Sequence, residues 1–161
     1  MLSASSRRIG FLSKLKWEGR LQLVEPSGTI KDSFIAKSES NLESAKILLE
    51  NERLEEAVSL AYYSMYNMLT ALLFQVGIKC ENHSASIILL KALFGMDNSS
   101  ISLAKDERID KQYYVDFSVT RRETVELIET AEDFNKTFFD FLSRMNSQRI
   151  EAYREQFQRL V

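Results

Sequence analysis

The chain is poor in the residues that most often build chemistry. Its 161 residues include one cysteine (Cys80), one histidine (His83), one proline (Pro26) and five glycines. A lone cysteine excludes a disulfide scaffold and a multi-cysteine zinc site, and it is the usage expected of a reducing, cytoplasmic compartment. A lone histidine leaves no material for a histidine-built metal centre. The Glu-x-x-His signature of di-metal bundles is also missing, since no glutamate stands three residues before His83. Neither a metal nor an organic cofactor is expected. So few glycines and prolines argue against a loop-rich sandwich or barrel and against a phosphate-cradling glycine loop. No run of eighteen apolar residues occurs, so no membrane span is expected. A formal charge of −2 argues against a general nucleic-acid coat protein while leaving room for a local basic patch. What the chain does have is 45% hydrophobic and 27% charged residues, enough for one folded domain with a sizeable core.

The breakers crowd the first thirty residues and then fall singly, at Gly77 and Gly95, which is the punctuation of long helices joined by short turns. Residues 31–50 carry a stripe of Phe34, Ile35, Leu42, Ala45, Leu48 and Leu49, and the short polar Asn51-Glu52-Arg53 predicts a tight antiparallel connection. Residues 53–76 are the most periodic in the chain. Leu54, Ala57, Val58, Ala61, Tyr62, Met65, Leu69, Leu72, Leu73 and Val76 recur in steps of three and four, and further apolar residues continue around the other side. A helix apolar on nearly all sides predicts a central one, stopped at Gly77. After a polar loop at 79–82, a shorter helix spans 84–94, and another starts near Ser99 and runs to about Arg108. Residues 112–118 read as extended or irregular. Thr120 and Glu123 then match a capping box that opens a helix through Met145, and a narrower stripe of Ile150, Tyr153, Phe157 and Leu160 follows. The expectation is an all-α, up-and-down bundle of four to five helices over 31–145. It is flanked by a basic segment at 1–30 and an amphipathic extension at 146–161.

Residues 1–17 contain four basic and no acidic side chains. A transit peptide, a patch for phosphate backbones and a short helix docked on the bundle all fit that composition. Gly10 weakens the transit reading, and Leu12, Leu15 and Trp17 favour docking, with nucleic-acid contact as a second role. For chemistry, His83 could act as a general acid or base near neutral pH, or simply hold its loop and the start of the next helix. Tyr62, Tyr63 and Tyr66 could stack nucleobases, or form core with their hydroxyls at its edge. Cys80 reads as a small packed hydrophobe in preference to a nucleophile.

The ordered set Ala61-Tyr62-Tyr63-Ser64-Met65-Tyr66, Leu69-Thr70-Ala71-Leu72-Leu73, Val76-Gly77-Ile78 and His83-Ser84 resembles the HEPN superfamily, in particular its small stand-alone prokaryotic members. Ala45-Lys46 and Leu48-Leu49 upstream fit the same pattern, as do Tyr114, Asp116, Thr120 and Ala131-Glu132-Asp133-Phe134 downstream; the likeness spans roughly residues 31–142. The resemblance implies a dimerising helical bundle, often encoded beside a minimal nucleotidyltransferase. Some members are RNA-cleaving toxins silenced by that partner, and others are binding domains. The nuclease members carry an arginine separated from a histidine by four to six residues. Here those positions before His83 are Ile78, Gly77 and Val76, and none is basic.

The expected function is therefore a homodimeric binding bundle in a toxin–antitoxin-type system, contacting a nucleotidyltransferase partner or RNA. Tyr62, Tyr63, Tyr66, Lys79, Ser84, Arg121 and Arg122 are its expected binding residues. Tyr153, Phe157 and Leu160 supply spare apolar surface for association. One alternative is a metal-independent endoribonuclease using His83 with a basic residue from either chain; a dimer could bring Arg121 or Arg122 across from the second. Another is a nucleotide-binding regulatory domain.

Overall fold

In the computed structural model the described residues are 3–113 and 118–161. Seven helices and one small ribbon occur among them: α1 (Ala4–Trp17), β1 (Leu21–Leu23), α2 (Gly28–Glu50), α3 (Leu54–Val76), β2 (Ile78–Cys80), α4 (His83–Ala92), α5 (Ser99–Tyr113), α6 (Arg121–Ser143) and α7 (Ser147–Leu160). The class is all-α. The five helices expected from periodicity are α2 to α6, with α2 starting three residues earlier, at Gly28, behind the Ser27 cap.

Helix α3 is the axis. Its most apolar stretch has the length and hydropathy of a membrane-crossing helix, yet most of that stretch is buried inside the protein. Ala57, Ala61, Tyr62, Met65, Leu69, Ala71, Leu72 and Val76 are all completely buried. Full burial of a Leu or Met side chain contributes ~1.5–3 kcal/mol. Helix α2 packs along one side of α3, α6 along another, and α5 along a third. Glu55 and Glu56 in the first turn of α3 oppose the positive end of its dipole. Gly77 ends it with a φ of 75°. A side chain there would collide with the Arg154 guanidinium and the Val24 carbonyl, so glycine is required for space as well as for backbone conformation. Thr120 and Glu123 do form the reciprocal capping box that opens α6.

Several local expectations are corrected. The loop expected at 79–82 begins as strand β2, which pairs antiparallel with β1, Leu21 opposite Cys80 and Leu23 opposite Ile78. Two three-residue strands more than fifty residues apart leave too short a period to be seen in sequence. Gly10 does not break α1, which runs through it with no neighbour close enough to oppose a side chain. Leu12 and Leu15 of α1 are buried in the common core, whereas Trp17 is 88% exposed and contributes nothing to docking. Helix α5 continues past Arg108 to Tyr113, so Gln112 and Tyr113 are helical; the remainder of the expected irregular stretch, 114–117, lies outside the described residues.

The C-terminal stripe neither continues α6 nor stays free. The chain turns at 144–146, Asn146 caps α7, and Phe157 becomes fully buried. Tyr153 packs on Phe94 with ring centroids 4.9 Å apart. Arg154 Nη1 donates to the carbonyls of Val24 (2.8 Å), Val76 (3.0 Å) and Gly77 (3.1 Å), fastening α7 across the end of α3. The apolar surface expected to serve association thus closes the chain's own core.

Candidate functional site

The site is assembled where the N-terminus of α4 meets the flank of α3. Asn82 caps α4 by accepting from the Ala85 amide at 2.9 Å, which leaves His83, the first helical residue, free to turn its ring onto α3. Tyr62 and Tyr66 are one helical turn apart and so present a common face there. The His83 ring stacks on Tyr66 with centroids 3.8 Å apart and planes within 16°. Its Nδ1 shares a 2.8 Å hydrogen bond with the Tyr62 hydroxyl. Tyr63 meets it edge-on, at 6.4 Å. The Tyr66 hydroxyl lies 3.3 Å from Ser86 Oγ, which in turn donates to the Asn82 carbonyl, so the ring pair is tied back to the α4 cap. Tyr62 is fully buried, and Tyr63, Tyr66 and His83 are half-buried.

Helix α5 closes the site with positive charge. The Arg108 guanidinium lies over the rings of Tyr63 (4.9 Å) and Tyr62 (5.5 Å). One turn before it, Lys105 Nζ donates to Ser84 Oγ at 3.0 Å. Burial first, then the charges of Arg108 and Lys105, push His83 below the usual histidine range. At neutral pH its imidazole is uncharged. Burial likewise raises Tyr62 and Tyr66, so both phenols stay protonated. The result is a neutral imidazole flanked by stacked phenols and two cations, an arrangement suited to an anion that carries a flat or hydroxylated body. No group of three or more His, Cys, Asp or Glu side chains placed to hold a metal ion occurs among the described residues.

Of the residues expected from sequence, His83, Tyr62, Tyr63, Tyr66 and Ser84 are brought together here. Lys79 is not: on β2 it pairs with Glu81 at 2.9 Å. Arg121 is not either. It reaches the C-terminal end of α2, donating to the Leu49 carbonyl at 3.0 Å and pairing with Glu52, where the helix dipole favours a cation. Arg122 pairs along its own helix with Glu126 at 3.1 Å. The cations that do reach His83, Arg108 and Lys105, follow it in sequence by more than twenty residues. Their only sequence signal is the three-residue spacing that sets them on one face of α5, and Asp106 and Glu107 between them mask it.

An all-helical bundle with a tyrosine-lined histidine at the start of its fourth helix defines a class, and the comparisons specify it. The HEPN domain model matches residues 32–145. The chain belongs to the HEPN family. It is similar to the "Putative toxin MJ0605" of Methanocaldococcus jannaschii, 30% identical over 109 residues, covering 63% of this chain and 81% of that protein. It is also similar to the "UPF0332 protein PH1297" of Pyrococcus horikoshii, 43% identical over 56 residues, but that match covers only 35% of this chain and 39% of the relative's length.

Proposed function

We propose that this HEPN protein is the RNA-contacting component of a toxin–antitoxin-type pair, working as a homodimer beside a nucleotidyltransferase-type partner. The observation that carries the reading is the stacked Tyr66–His83 pair flanked by Arg108 and Lys105. Cations there meet phosphate, and aromatic faces meet bases, the two elements that single-stranded nucleic acid requires. Similarity to a protein named as a toxin supports the biological setting. The test is fluorescence anisotropy on labelled single-stranded RNA. Wild type should bind with a marked salt dependence, and Arg108→Ala and Lys105→Ala should each weaken binding. No binding at low salt would end this reading. Light scattering at tens of micromolar addresses the dimer, which a pure monomer would exclude.

Arg108 also favours a second reading, metal-independent cleavage of RNA. The usual spacing of arginine before histidine is absent, but a guanidinium now stands on the same aromatic cluster as His83 within one chain. The two readings differ in where one proton sits. With the Tyr62 hydroxyl donating to Nδ1, the other ring nitrogen, Nε2, carries hydrogen and can donate to a phosphate oxygen. With Nδ1–H donating to Tyr62, Nε2 is free to take a proton from a ribose 2′-hydroxyl while Arg108 stabilises the phosphorane charge. Cleavage of labelled RNA in chelator by wild type, abolished in His83→Ala, would make the protein a nuclease. Intact RNA with both proteins would leave a binding site.

A further inference from the structure

A groove of about 580 Å³ lies between α1, α4 and α5, next to the histidine cluster but distinct from it. Its volume falls within the ~300–1,000 Å³ of typical small-ligand sites. Leu12, Ile87 and Ile88 give it an apolar floor. Arg8, Lys91 and Lys105 stand around it against a single carboxylate, Asp106, among the described lining residues, which makes this lining net positive. Arg8 and Lys91 are exposed and neither is held in a close ion pair among the described residues, the Lys91 charge acting on Asp97 only at longer range. Ser84 lines the groove too, and it holds Lys105 by its hydroxyl while sitting next to His83 in sequence. The groove therefore shares Ser84 and Lys105 with the histidine cluster. One wall, with Ser5, Arg8 and Leu12, comes from α1, and so lies outside the stretch that the HEPN model matches. A bundle made of that stretch alone would have no such wall.

We propose that this groove carries the next nucleotides of the RNA strand held at His83, with phosphates on Arg8, Lys91 and Lys105 and a base against Ile87 and Ile88. This rests on the RNA reading above and adds the strand's path. It also gives the basic N-terminal helix a task beyond docking. Charge complementarity selects an anionic strand, and continuity with an aromatic histidine site favours RNA over an acidic peptide. A groove of about 580 Å³ has room for nucleotides of one strand and not for a duplex.

The test compares oligouridylates roughly four and roughly ten nucleotides long, lengths that bracket small single-strand sites. The short one should bind through the His83 cluster alone. The long one should bind ~10-fold tighter, with a steeper dependence on salt. Arg8→Ala combined with Lys91→Ala should remove that gain and lower the log–log salt slope by about 1.4, at ~0.7 per phosphate contact. Affinity for the short oligomer should be unchanged. Arg8→Lys with Lys91→Arg should keep the slope, and thermal melting should confirm that these exposed substitutions leave the fold intact. If the double alanine variant keeps both the length gain and the slope, the groove assignment falls while the RNA reading stands. If neither oligomer binds wild type, the RNA reading itself falls, and the groove assignment with it. Competition by poly-glutamate as strong as by RNA would overturn the assignment in favour of an acidic protein.

Discussion

Helix α3 carries two polar clusters within five residues, and they are built to opposite ends. Ser64 faces α2 and α6. Its hydroxyl donates to the Ser38 carbonyl at 2.7 Å, Ser38 donates back to the Ser64 carbonyl at 2.7 Å, and Asn135 Nδ2 donates to Ser64 Oγ at 2.8 Å. Ser38 and Ser64 are fully buried, and small side chains there let α2 and α3 approach closely. Tyr62 and Tyr66 face the other way, toward a half-buried histidine and two cations. The first cluster is neutral and closed, so it serves packing. The second holds an uncharged imidazole beside positive charge with access to solvent, an arrangement met more often where a ligand binds than in a sealed core. The two clusters differ in where their partners lead, and only the second can be reached from solvent.

Substitutions can break this contrast, and the largest effect is expected at the closed cluster. Ser64→Leu overfills the α2–α3 contact and removes its hydrogen bonds, so it should cost about 3 kcal/mol or more in chemical denaturation. A cost below ~1 kcal/mol would mean that the contact is not sealed. Ser64→Ala should cost ~2 kcal/mol, because it leaves the buried Asn135 amide short of a partner. At the open cluster the order of effects reverses. Arg108→Ala should weaken RNA binding about tenfold, ~1.4 kcal/mol, while the melting temperature hardly moves. Tyr62→Phe should cost ~1 kcal/mol of stability, because it removes the bond from a fully buried phenol to His83 Nδ1.

Titration gives the smallest effect and the sharpest probe. The folded protein holds His83 below the ordinary value of about 6.5, so the unfolded chain binds its proton more tightly. Stability should thus be at its full value above that pH and decline as the pH falls through about 6.5 toward the folded midpoint. His83→Gln should flatten that decline. Because His83 is the only histidine, its ring signals in NMR are unambiguous. Arg108→Ala or Lys105→Ala should move its midpoint upward by removing a like charge. An unchanged midpoint in both would leave burial as the sole cause.

Much of this was legible in the residues themselves. The spacing of Leu54 through Val76 marks a central helix because a side chain every three or four residues can face only one way. Gly77 marks its end, and Thr120 with Glu123 marks the start of α6, because caps are local chemistry with few solutions. His83 and the three tyrosines were identifiable as candidates from residue type and order. Their partners were not. Arg121, Arg122 and Lys79 are basic residues in plausible positions, and each is held by a nearby carboxylate or carbonyl. Arg108 carries no mark except its place on a helix face.

The sequence by itself determined α2 to α6, the Gly77 stop, the Thr120 cap and the buried face of α3, since these follow from hydrophobic period and backbone chemistry within a few residues. Tertiary structure decided which cations reach His83, that α7 folds back through Arg154 onto the end of α3, and that α1 walls a groove beside the site. Such choices depend on how elements far apart in the chain meet, and charge or apolarity alone does not specify a distant neighbour.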